Sequence, residues 1–134
     1  MKLVHVVGTR PNFVKMAPVI AALRAADPDG RHVLVHTGQH YDRMMSEIFL
    51  EQLGVPEPDH MLGVGSGSHA AQLGGVLEAF APVLTSEEPD LVIVPGDVNS
   101  TLAAALACAH LQIPLAHVEA GLRSFDRTMP EEVN

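Results

Sequence analysis

One unit recurs along this chain and limits its possible folds. A short apolar run is followed by a loop rich in glycine and charge, and then by a segment of helical periodicity. The repeat is about 30 residues, the length of a strand–helix–strand crossover. The apolar runs fall at residues 3–7, 31–36, 91–95 and 113–118. Runs that are apolar almost throughout suit strands covered on both faces. Strand and helix in alternation specify an α/β fold, a Rossmann-like parallel sheet with helices on both faces. In such sheets ligands bind outside the carboxyl ends of the strands. Arg10 follows the first run, Asp97 the run at 91–95, and Glu119 the run at 113–118, so all three are expected on one rim.

The segments between the runs read as helices. A short turn near Pro11 is expected to precede a helix over 17–26, with Val19, Ile20 and Leu23 as its buried stripe. A second helix is expected over 41–53, on which Met44, Met45, Ile48, Phe49 and Leu53 share a face. Residues 60–63 are a candidate edge strand. Ser68 can cap the next helix, whose apolar face is Leu73, Val76, Leu77, Phe80, Val83 and Leu84. Pro82 is expected to kink or shorten that helix. The Ala-rich helix over 100–111 has so little side-chain bulk that it can approach the sheet closely.

Bulk properties exclude several classes. The 134 residues carry a net charge of -8, which argues against nucleic-acid binding, since that needs clustered cations. Hydrophobic residues make up 47%, too many for disorder. No apolar run approaches the roughly 18 residues of a membrane span. Cys108 is the one cysteine, so no disulfide forms within the chain, which suits the cytoplasm, and its expected role is a small buried apolar residue. No metal site is expected, because His36 and His40 straddle a strand end rather than one helix face. His40 and His117 lie at strand ends and are the candidate functional histidines. His5, His32, His36, His60, His69 and His110 read as structural or solvated.

The loop residues carry the chemistry. Gly8-Thr9-Arg10-Pro11 lacks the second and third glycines of a dinucleotide fingerprint. A short glycine turn can still offer N–H groups to a phosphate, with the planar fork of Arg10 and the point charge of Lys15 beside it. Asp97 and Glu119 are one strand–helix unit apart, and neighbouring strands lie roughly 5 Å apart, so their carboxylates could face one pocket. Two carboxylates in a closed site repel, which makes one a usable acid or base. Glu131 could join them if the loop after Arg123 folds back. Against this, Asp97 could simply cap the Ala-rich helix, and Glu119 could pair with Arg123.

Five stretches, taken in order, strongly resemble the non-hydrolysing UDP-N-acetylglucosamine 2-epimerases. They are Gly8-Thr9-Arg10-Pro11 with Lys15, Thr37-Gly38-Gln39-His40, Gly96-Asp97 with Ser100-Thr101, His117 through Ser124, and Pro130-Glu131-Glu132. The resemblance implies the first half of a two-domain enzyme of glycosyltransferase-B architecture. Residues 1–134 would be its N-terminal Rossmann-like domain, with the C-terminal UDP-binding domain outside this chain. It implies reversible 2-epimerisation through elimination and re-addition of UDP, with a glycal intermediate, no cofactor and no metal. It assigns Asp97, Glu119 and Glu131 to catalysis and Arg10, Lys15, Gln39, His40, His117 and Arg123 to the UDP-sugar substrate. It further implies a cytoplasmic homodimer serving cell-surface polysaccharide biosynthesis, with this chain alone inactive.

One position departs from the commonest pattern of that family. The residue after Arg10-Pro11 is often glutamate there, and here it is Asn12, followed by Phe13. An amide followed by phenylalanine resembles relatives acting on UDP-2,3-diacetamido uronic acid sugars, which keeps that substrate open. A hydrolysing 2-epimerase, releasing UDP and N-acetylmannosamine, would share most of the same motifs. A non-catalytic nucleotide-binding module would keep the fold without the reaction.

Overall fold

A computed structural model of the chain describes residues 1–38 and 51–134. Gln39 and His40 lie outside the described residues, as does most of the helix expected over 41–53. Five strands form one parallel sheet: β1 (Lys2–Val7), β2 (Arg31–Gly38), β3 (His60–Val64), β4 (Leu91–Pro95) and β5 (Leu115–Val118), in the order β3-β2-β1-β4-β5. Between them run α1 (Arg10–Ala26), α2 (His69–Glu87) and α3 (Asn99–Leu111), and a single turn, α4 (Pro130–Val133), closes the chain.

β1 pairs with β2 along its length, from Lys2 opposite Arg31 to Val7 opposite His36, and on its other side with β4, where Leu3 lies opposite Leu91. The alternation of side chains along the strands splits the core in two. Val4, Val6, Val33, Val35, Val92 and Val94 face α2 and α3, where they meet Val76, Phe80, Leu84, Ala103, Ala104, Ala107 and Cys108. Val7, Leu34 and Ile93 belong to a second cluster with Phe13, Met16, Ala17 and Ile20 of α1. The sheet is therefore covered on both faces, as the apolar runs required. Phe80 is fully buried, and its truncation to alanine should cost about 3–5 kcal/mol. The small residues of α3 do bring it close to the sheet, burying Ala103, Ala104, Ala107 and Cys108.

Several local expectations need correction. α1 begins at Arg10 rather than Ala17 and is one helix of 17 residues, with Pro11 in its first turn and Pro18 inside it. α2 likewise runs through Pro82 to Glu87 without shortening. Both prolines are exposed, as are Val14 and Glu78 four residues before them. Water can therefore satisfy the carbonyls whose helical partner is lost. β5 starts at Leu115, because the Ile113 N–H is taken by the Cys108 carbonyl at the end of α3. Ser68 caps α2 as expected, its Oγ accepting the Ala71 N–H at 3.1 Å. The expected edge strand is β3, which pairs in parallel with β2.

Candidate active site

The strand order reverses direction between β1 and β4, the switch point where ligands bind in open α/β sheets. A cleft of about 400 Å³ opens there at the carboxyl ends of the strands. The β1–α1 turn, the end of β2, the amino ends of α2 and α3, and α4 all line it.

Its floor is tightly built. Thr37 Oγ1 and Ser100 Oγ hydrogen-bond at 2.7 Å, joining β2 to α3. Gly8 lies directly against that pair, since a Cβ there would stand 2.7 Å from both hydroxyl oxygens. The Gly8 and Thr9 N–H groups are not directed at the cleft for an anion to claim. Both donate to Asn12 Oδ1, at 3.0 and 3.2 Å, and Asn12 is buried. Asn12 thus organises the turn from below, and the phosphate-cradle expectation for these two N–H groups is corrected.

Asp97 and Glu131 both line the cleft. Asp97 does not cap α3: Val98 occupies the cap position and the helix starts at Asn99. Glu131 arrives because the chain after Arg123 does fold back. Glu132 makes that fold, with Oε2 accepting from Ser124 N at 2.8 Å, Ser124 Oγ at 3.2 Å and Phe125 N at 3.2 Å. The Ser124 N–H bond leads in holding the Glu132 carboxyl below the usual range. Adjacent glutamates on one helical turn face different ways, so Glu132 grips the loop while Glu131 reaches the cleft. Sequence reasoning missed this role of Glu132, for which its place beside Glu131 was the available signal.

Glu119 stands on the same rim, one strand over, because Pro95 and Val118 are register partners. It pairs with Lys15 at 2.5 Å, not with Arg123. Its charge is therefore met by a cation. Glu119 has φ 63, a left-handed conformation that costs a residue with a side chain about 1–3 kcal/mol. Gly96, with φ 64, forms the seam beneath: a Cβ there would lie 3.6 Å from Lys15 Nζ and 4.0 Å from Glu119 Oε2. Arg10 is exposed and shares a separate shallow groove with Lys15.

Two predicted ligand residues act here as braces. His117 Nε2 donates to the Gly96 carbonyl at 2.6 Å and so fixes the β4 turn against β5. Arg123 Nη1 donates to the Ala120 and Leu122 carbonyls at 3.1 and 2.8 Å, stiffening its own loop. Cys108 is buried, and burial pushes its thiol up to about 11, as an inert core residue requires. Among the described residues no group of three His, Cys, Asp or Glu is gathered to hold a metal, and no helix is long and apolar enough to cross a membrane.

Comparison with known proteins gives the family of the chain. The chain is 53% identical to a Methanococcus maripaludis UDP-N-acetylglucosamine 2-epimerase homolog, and the match covers all of this chain and 37% of that protein. It is 48% identical to the Pseudomonas aeruginosa UDP-2,3-diacetamido-2,3-dideoxy-D-glucuronate 2-epimerase, covering all of this chain and 38% of that one. In structure it matches the Methanocaldococcus jannaschii UDP-GlcNAc 2-epimerase, solved with UDP-GlcNAc and UDP, at a TM-score of 0.91 and 48% identity, over 100% of this chain and 36% of that one. The chain thus spans little more than a third of the length of these relatives. The family model described as UDP-N-acetylglucosamine 2-epimerase matches residues 22–134, and the chain belongs to that family.

Proposed function

We propose that this chain supplies the acid–base wall of a non-hydrolysing UDP-N-acetylglucosamine 2-epimerase. The observation that carries this reading is the gathering of Asp97 and Glu131 in one cleft with Glu119 and Lys15 on its rim. Epimerisation at C2 removes a proton from one face of the sugar and returns one to the other, which needs acid–base groups around one carbon. Breaking the C1–O bond builds negative charge on the departing UDP, and Arg10 and Lys15 are the cations at hand to stabilise it. UDP stays bound beside the glycal and adds back, so no cofactor enters the balance.

The remaining length of the enzyme would close the cleft from the opposite side. Alone, this wall leaves its carboxylates in water and cannot hold the cleaved UDP, so the chain by itself is inactive in this account. The whole enzyme would be a cytoplasmic homodimer with Gln39, His40, His117 and Arg123 contributing to UDP-sugar binding.

Asn12 favours a second substrate, a UDP-2,3-diacetamido uronic acid, the class of sugar for which the Pseudomonas aeruginosa relative is named. The Asn12 amide organises the β1–α1 turn without a negative charge. A carboxylate there would repel a sugar that carries its own. Product analysis tests both readings. The full-length enzyme, incubated with each UDP-sugar, should yield the 2-epimer with its UDP still attached. Free N-acetylmannosamine as the product would instead establish the hydrolysing reaction.

A further inference from the structure

A chain of amide hydrogen bonds crosses one wall of the cleft. Asn134 Nδ2 donates to the Asp97 carbonyl at 2.9 Å and to Asn99 Oδ1 at 3.0 Å. Asn99 Nδ2 donates to Gln72 Oε1 at 2.7 Å and meets His69 Nδ1 at 2.9 Å. An amide nitrogen carries two hydrogens and accepts nothing. Both hydrogens of Asn134 and both of Asn99 are therefore spent, and His69 Nδ1 must be the acceptor. A neutral imidazole whose Nδ1 accepts carries its proton on Nε2.

His69 is exposed at the amino end of α2 and lines the same cleft as Asp97 and Glu131. Its Nδ1 is tied to α3, and among the described residues no hydrogen bond is assigned to its Nε2. We propose that His69, oriented by Asn99, is a ligand-contacting residue that presents an uncharged Nε2–H to an acceptor oxygen of the bound sugar nucleotide. Asn99 is its positioning residue. The same Asn99 oxygen anchors Asn134, so it also holds the turn bearing Glu131 against the Asp97 loop. The ligand class rests on the epimerase reading above, whereas the orientation of His69 does not.

Two substitutions separate ligand contact from mere support. His69→Asn keeps a polar atom near the Nδ1 position, where Asn99 can still bond, but removes the donor at Nε2. His69→Gln does the reverse. In the full-length enzyme, His69→Asn should weaken UDP-N-acetylglucosamine binding about tenfold, the worth of one hydrogen bond, while His69→Gln stays within about threefold of the parent. A purely structural histidine gives the opposite order, and that order would overturn the inference. Nitrogen NMR of the parent supplies a readout independent of activity. It should show Nδ1 unprotonated and Nε2 protonated, with the preference lost in Asn99→Ala. Protonated Nδ1 in the parent overturns the inference even if an Asn99 variant fails to fold. Binding that follows the predicted order in an enzyme that forms no epimer would support the contact and sink the epimerase reading. Absence of any UDP-sugar binding would sink both.

Discussion

Lys15 on α1 and Glu119 after β5 meet at 2.5 Å over the turn at Gly96, joining α1 to the loop that follows β5. Both side chains are about one-third exposed, so water screens the pair and its contribution to stability is at most about 1 kcal/mol. Lys15→Met should therefore lower the melting temperature only slightly. In the full-length enzyme it should lower kcat steeply, since the cation would face the charge that builds on departing UDP. Calorimetry beside steady-state kinetics checks this. A large melting shift with unchanged kcat would make the pair a structural brace.

Gly8 offers a steric test of the cleft floor. Alanine there would drive a methyl into Thr37 Oγ1 and Ser100 Oγ, each 2.7 Å away. The hydroxyl pair must separate, at a cost of about 1–3 kcal/mol. Urea unfolding of Gly8→Ala measures it, and a variant as stable as the parent would mean that the floor is loosely packed.

Acid stability should fall in two windows. Burial, then neighbouring His32 and Arg24, lowers His5 to about 4 from 6.5. A histidine that resists protonation when folded contributes stability that is whole above about pH 6.5 and declines as pH falls toward 4. Glu87 behaves differently. Hydrogen bonds from Lys2 and then His60 lower it to about 2 from 4.5, with Arg31 3.8 Å away. Its contribution is whole above about pH 4.5 and is lost as pH falls toward 2. Glu87→Gln should flatten the lower window and leave the upper one intact, as read by unfolding free energy against pH. An unchanged lower window would remove Glu87 as its source.

How much of this was legible in advance differs by element. Leu91 to Pro95 declared a strand because a buried parallel strand must be apolar on both faces, and the structure has it at those residues. Pro18 and Pro82 misled, because their cost depends on whether the carbonyl four residues back reaches water, which only the packed helix reveals. Asp97, Glu119 and Glu131 were readable from their loops and do arrive on one rim. The partners were not. Lys15 meets Glu119 from across the sheet, and Asn99 reaches His69 from 30 residues away. Such pairings depend on how α1, α2 and α3 sit on the strands, and no local pattern encodes them. Asn12 shows the same limit, since nothing local in the sequence indicated that its amide would hold two backbone N–H groups.

The cleft carboxylates are expected to move the C2 proton. Deuterium entry at C2 of UDP-N-acetylglucosamine, followed by NMR in deuterated water with the full-length enzyme and its Asp97→Asn, Glu119→Gln and Glu131→Gln variants, reports that step most directly. Each amide keeps the shape of the carboxylate but cannot take the proton. Exchange should slow by about 10²–10⁴ in each variant while UDP affinity changes little. Near-parental exchange in all three would contradict that role of the carboxylates.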